Sequence, residues 1–102
     1  MVYVAATIDV KPGQRKPFLD IFKENVPNVL AEEGCLAYAP AIDTDGGIAA
    51  QSPLRPDTVI VLEQWESLAH LHAHLEAPHM AVYRERVKDL VQKVRLEILE
   101  PA

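Results

Sequence analysis

The chain is short of most residues that announce a chemistry. It has one cysteine, Cys35, so no disulfide can close within it and no cysteine-based zinc site can form. Cys35 is therefore read as a small, half-buried apolar residue. Cations are also scarce, with 10 Lys and Arg against 15 Asp and Glu and a net charge of −5. Non-specific nucleic-acid binding rests on cations that neutralise phosphates, so this balance argues against it. The densest basic stretch, Arg84, Arg86 and Lys88, fits the solvated face of a helix. No apolar run approaches the roughly 20 residues of a membrane span. The opening Met1 to Thr7 lacks a basic start and is too short an apolar run for a secretion signal. A cytoplasmic protein without nucleic-acid or membrane partners is expected. Nucleotide-binding GxGxxG and P-loop patterns, the GxSxG elbow and the HExxH zinc motif are all missing. Asp43-Thr44-Asp45-Gly46-Gly47 lacks the terminal acid and flanking helices of a calcium loop and is a turn.

What remains is an ordinary soluble composition. With 102 residues and 49% hydrophobic content, residues 1–102 form one domain with a real core. Val2 to Asp9 alternates aliphatic and mixed positions, the period of a strand. Lys11-Pro12-Gly13 marks a turn. A helix is expected from about Gln14 to Glu32, carrying Phe18, Phe22, Val26, Val29 and Leu30 near one side, kinked by Pro27 and stopped by Gly34. Cys35 to Ile42 is a second strand. Asp43 to Asp57 is a long loop, of a length often used for lids. Thr58 to Trp65 is a third strand, and Ser67 caps a helix over Leu68 to Ala77. Pro78 opens a last helix expected to reach about Lys93, with Tyr83, Val87, Leu90, Val91 and Val94 as its buried stripe, before a fourth strand over Val94 to Leu99.

The order is βαββαβ, an α+β, ferredoxin-like arrangement with a four-stranded antiparallel sheet and helices on one side. Val59-Ile60-Val61-Leu62 is apolar at successive positions, so both faces of the sheet need cover there. Two helices can cover only one. A homodimer whose bare faces pack into an α+β barrel would resolve the conflict.

The chemistry-bearing residues cluster where the third strand hands over to a helix. Trp65 offers a large amphipathic ring, and His70, His72, His74 and His79 follow it. His70 and His74 have the i, i+4 spacing of a metal pair, but no third ligand can be assigned. His70 falls nearly opposite the Leu68, Leu71 and Leu75 stripe and is expected at the surface. His74 flanks that stripe and can reach a pocket between helix and sheet; its plain alternative is a boundary histidine bonded to backbone or water. Trp65 could equally be core. Glu63 shares the Trp65 side of the strand and, as a charge in an apolar segment, must be paired, hydrogen-bonded or near an edge. Asn25, beside Pro27, either binds a polar group or lies on the helix surface.

Several stretches together resemble the antibiotic-biosynthesis monooxygenase family, quinol monooxygenases included, across nearly the whole chain. They are the opening strand with Lys11-Pro12-Gly13 and Phe18, then Glu33-Gly34-Cys35-Leu36-Ala37-Tyr38, and above all Leu62-Glu63-Gln64-Trp65-Glu66-Ser67 through His74-Leu75 to Pro78-His79-Met80. The resemblance implies a dimeric α+β barrel that oxygenates electron-rich aromatic rings, such as anthrones and quinols, with O2 and without flavin, haem or metal. It implies that Trp65 packs against the ring, that His74 moves a proton and that Asn25 binds an oxygen of the substrate. Glu63, Tyr38, His79 and Tyr83 are the expected substrate-binding neighbours. Haem-degrading relatives carry an asparagine on the first strand, and none lies between Val2 and Asp9. Two other readings stay open: an isomerase or decarboxylase that shuttles protons through histidines, and a non-catalytic dimeric binding or stress-response module.

Overall fold

The computed structural model describes all 102 residues. Seven elements follow in order: β1 (Val2–Val10), α1 (Arg15–Leu30), β2 (Cys35–Ala41), β3 (Thr58–Trp65), α2 (Leu68–Leu75), α3 (Pro78–Val87) and β4 (Val91–Leu99). The strands form one antiparallel sheet in the order β2-β3-β1-β4, the expected ferredoxin-like arrangement.

Register follows from which side chains need cover. Val2, Val4, Ala6, Ile8 and Val10 point to one face of β1, and their β3 partners are Trp65, Glu63, Val61 and Val59. These residues meet Phe18, Phe22 and Val29 of α1, Leu71 of α2 and Met80 and Val87 of α3 in one core. The three α1 positions recur at helical spacing, which is why this helix lies flat on the sheet. It runs unbroken across Pro27, with the Ala31 N–H bonded to the Pro27 carbonyl.

The expected boundary between the last helix and the last strand was displaced. Leu90, Val91 and Val94 do not continue the α3 stripe; α3 ends at Val87, and Val91 already pairs with Val10. Val94, Leu96 and Ile98 then oppose Ile8, Ala6 and Val4, on the helix-bearing side of the sheet. The helices do not reach that far, so these three remain exposed and the sheet floor is open along β4. On α2 the buried pair is Leu71 and His74, while Leu68 and Leu75 are exposed. The histidine has taken a place the sequence pattern gave to leucine.

The loop between β2 and β3 is held by its own polar side chains. Asp43 accepts from the Arg55 backbone N–H and from Nε and Nη2, at 2.9, 2.9 and 2.8 Å. The Arg55 guanidinium pulls the Asp43 carboxyl down to about 2. Gln51 bridges the Gly46 N–H and the Thr44 carbonyl across the turn. No residue of this loop lines the main cavity, so it is not a lid over it.

Two glycines turn with positive φ near the ends of α1, and they differ in surroundings. Gly13 (φ 77) has open space where a Cβ would stand, whereas at Gly34 (φ 78) a Cβ would lie 2.3 Å from the His70 ring. His70 is thus half-buried against Gly34 rather than plain surface, and the Gly34 carbonyl accepts from the Glu66 N–H at 2.9 Å. Gly13→Ala should therefore cost only the left-handed backbone penalty, about 1–2 kcal/mol. Gly34→Ala adds a clash and should cost about 2–4 kcal/mol. Urea midpoints of the two variants measure the difference, and equal losses would disprove the close approach.

Candidate active site

A cavity of about 470 Å³ lies between α2, α3 and the sheet. Its floor is Ala6, Ile8, Val61, Val94 and Leu96, its walls include Phe22, Leu75, Met80 and Val87, and Arg84 and Lys88 stand exposed among its outer residues. Four groups able to bond a ligand look inward: Tyr38, Glu63, His74 and Tyr83. An apolar chamber with a few convergent polar groups is the usual form of a small-molecule site.

His74 is 2% exposed. Its Nδ1 lies 2.7 Å from Glu32 Oε2, on the segment that follows α1. An ionised carboxylate can only accept, so the proton sits on Nδ1 and Nε2 keeps a lone pair. Nε2 bonds to nothing in the protein and is not among the sealed, unpartnered atoms, so it is reachable from the cavity the residue lines. Burial lowers the affinity of His74 for a second proton, and the Glu32 bond works in the opposite direction. A neutral, oriented imidazole is the result.

Glu63 is 8% exposed and accepts from Trp65 Nε1 through Oε1 at 2.9 Å. Burial raises its carboxyl to about 7, against the lowering effect of the indole bond. Oε2 has no partner in the protein and is not sealed from solvent, and Glu63 is one of the residues that line the cavity. Desolvation likewise raises the hydroxyls of Tyr38 and Tyr83 well above the usual tyrosine range, so both remain protonated donors. An aromatic train fixes these groups. Phe22 stacks on Tyr38 (5.5 Å, 12°) and meets Tyr83 edge-on (5.7 Å, 82°). Tyr38 in turn meets His74 (5.5 Å), and His74 lies on Trp65 (4.7 Å).

Of the expected site residues, Tyr38, Glu63, His74 and Tyr83 share the cavity. Three do not line it. Trp65 is wholly buried beneath His74, so it holds Glu63 and His74 instead of packing on a bound ring. Asn25 lines a separate groove of about 250 Å³ with Glu24, Asn28 and Arg86; its Oδ1 accepts from Asn28, and its Nδ2 faces the Met80 sulfur at 3.5 Å. His79 lines the same outer groove. Its Nε2 is 3.3 Å from Glu32 Oε2 but poorly aligned, and neither ring nitrogen has a partner. Glu32, His74 and His79 converge, yet no group of three ligating side chains is arranged to hold a metal ion. Glu32 itself escaped the sequence reading. It is 42 residues from His74, and a glutamate just past a helix end carries no local sign of its partner.

Comparison with known proteins accords with this geometry. The model of the antibiotic biosynthesis monooxygenase family matches residues 1–86. The chain is 48% identical to the probable quinol monooxygenase YgiN of Escherichia coli K12, over 99% of this chain and 98% of that one. Among solved structures, PA3566 from Pseudomonas aeruginosa superposes with a TM-score of 0.82 at 24% identity, covering 99% of this chain and 93% of that one. Rv0793 from Mycobacterium tuberculosis does so with a TM-score of 0.79 at 24% identity, covering 99% and 94%. The chain belongs to the antibiotic biosynthesis monooxygenase family.

Glu63 binds its proton more tightly folded than unfolded. The fold therefore loses stability as pH rises from the unfolded carboxyl value of 4.5 through about 7. Glu63→Gln keeps an acceptor for the indole and removes the charge. It should raise unfolding free energy at pH 8 by about 1–3 kcal/mol and change it little at pH 4. Urea titrations at the two pH values would show this, and a destabilised variant at pH 8 would contradict the buried charge.

Proposed function

We propose that this chain is a cofactor-independent monooxygenase that oxygenates a quinol, anthrone or similar electron-rich ring with O2. The observation that carries the reading is His74, with Nδ1 bonded to Glu32 and a free Nε2 facing an apolar cavity. A quinol hydroxyl placed at Nε2 gives up its proton, and the Glu32 carboxylate stabilises the imidazolium that forms. The ring anion then passes one electron to O2, and the radical pair joins in a carbon–oxygen bond. Tyr38 and Tyr83, kept protonated by burial, donate hydrogen bonds to the ring oxygens as charge develops. The apolar lining leaves the radical pair few polar neighbours to react with. The family and the name of the 48%-identical relative point the same way.

His74→Ala should lower the rate of oxygen uptake with a quinol and anthrone panel by about 100- to 10,000-fold, the span of general base catalysis. Glu32→Gln should lower it by about tenfold, since it loses orientation and charge but not the base. Below the ordinary histidine range the wild-type rate should fall as Nε2 takes a proton from water. Oxygen-electrode assays test all three. Wild-type enzyme that consumes no O2 yet exchanges substrate protons with solvent would point to isomerisation instead.

In the same reading the protein is a cytoplasmic homodimer. The helix-free face of the sheet presents Ile60 half-buried and Leu62 53% exposed, with Ala5, Ala37 and Ala39 beside them, a surface suited to a second copy. No helix is long and apolar enough to cross a membrane. Light scattering at micromolar concentration should give twice the chain mass of 11.3 kDa; the monomer mass would refute the dimer.

A further inference from the structure

The steps above leave one acid of the cavity unused. Glu63 rises from β3, flanked across the ladder by Val4 of β1 and Tyr38 of β2. His74 of α2 and Tyr83 of α3 line the same cavity, and the carboxylate of Glu32 also acts on Glu63 at longer range. No cation bonds to it. Its only partner is the Trp65 indole, which fixes Oε1 and leaves Oε2 without a partner and not sealed from solvent. A carboxylate buried among apolar side chains with one oxygen anchored and one idle is costly to keep. That arrangement is hard to explain as packing, because a glutamine or an apolar residue would sit there at lower cost.

Insertion of an oxygen atom into a quinol ring requires protons to leave two different atoms. The first leaves the hydroxyl oxygen, which is the step given to His74. Once O2 has taken an electron and closed a carbon–oxygen bond, His74 returns that proton to the peroxide. The ring carbon then carries a hydroperoxide and still its own hydrogen. For the new carbonyl to form, that hydrogen must depart as a proton. The C–H electron pair becomes the second carbon–oxygen bond, and the O–O pair leaves with the distal oxygen as hydroxide. His74 lies on a helix and Glu63 on the sheet, so the two groups meet a flat ring from different elements of the cavity wall.

Resting on the quinol reading, we infer that Glu63 is the acceptor of this second proton, with Oε2 taking it from the peroxide-bearing carbon while the indole of Trp65 holds Oε1. Glu63 then hands the proton to the departing hydroxide, which leaves as water. Quinol and O2 become hydroxyquinone and water, and both His74 and Glu63 return to their starting states. Trp65 is a positioning residue in this scheme, since it touches Glu63 and not the ring. Tyr38 and Tyr83 are excluded as the acceptor because burial keeps both hydroxyls protonated.

The test is the product split of Glu63→Gln, which keeps the indole's acceptor and cannot take a proton. The readout is the share of each product per O2 consumed, which separates the second proton transfer from the overall rate of uptake. The hydroxylated product should fall by at least about tenfold. In its place the stalled adduct expels its hydroperoxide, which takes the proton of the second ring hydroxyl as it leaves, and the products are the plain quinone and hydrogen peroxide. The wild type supplies a second readout that needs no variant. Its peroxide share should rise as pH falls through about 7, where Glu63 takes up a proton, while the split of the variant stays flat. Titration of His74 alters the rate in both proteins but not the split. Hydroxylated product at the wild-type share, or a wild-type split indifferent to pH, would each overturn the role of Glu63. Wild-type protein that consumes no O2 with any quinol takes down the function reading and this one with it. Uptake with an unchanged split overturns Glu63 alone.

Discussion

The bond from the Trp65 indole to the Glu63 carboxylate, 2.9 Å long and sealed from bulk water, is the contact on which the cavity is organised. Both residues belong to β3, two positions apart, so strand alternation alone brings them to the same face. The indole is also the bed on which the His74 ring lies. One side chain therefore orients a carboxylate through its edge and an imidazole through its face. Removing Trp65 would unsettle both polar groups at once, although it touches nothing inside the cavity.

The second constraint comes from the turn that follows α1. Glu32 reaches His74 from the turn after α1, and Gly34, two residues on, turns with a positive φ that lets the chain pass close against His70 of the same helix. The Glu66 N–H bonds back to the Gly34 carbonyl, tying the start of α2 to the end of α1. The position of the carboxylate that polarises His74 is thus set by backbone geometry as much as by side-chain choice. Preorganisation of this kind lets a proton acceptor act without first rearranging its surroundings.

Much of this was legible in the sequence, and what was not has a common cause. Period-two alternation located β1, the continuous apolar run Val59 to Leu62 located β3, and the Ser67 cap located α2, because those signals lie within a few residues of the element they define. The α3 to β4 boundary failed because Leu90, Val91 and Val94 satisfy a helical stripe locally. Only pairing with β1, some 80 residues away, makes Val91 and Val94 part of a strand. The resemblance implied Trp65 against a bound ring, and in the structure His74 of α2 covers the indole, a contact that strand alternation does not foretell. Asn25 and His79, expected at the substrate from the resemblance, line an outer groove with Tyr83 rather than the main cavity. Glu32 had no local signal at all.

Environment divides the ionisable groups of the cavity into donors and acceptors. Burial acts on all of them, yet its direction depends on which form carries charge. It pushes Tyr38 and Tyr83 up, so they stay neutral donors, and it pushes His74 down, so the imidazole stays neutral with an open lone pair. Glu63 is pushed up only to about 7 because the indole bond opposes desolvation, which leaves it poised between acid and base at neutral pH. A single physical cause thus yields two fixed donors and two proton carriers in one chamber. The Trp65 bond is what keeps Glu63 within reach of the neutral range. Without it burial would push the carboxyl further up, toward the protonated donors Tyr38 and Tyr83 and away from the acceptor His74.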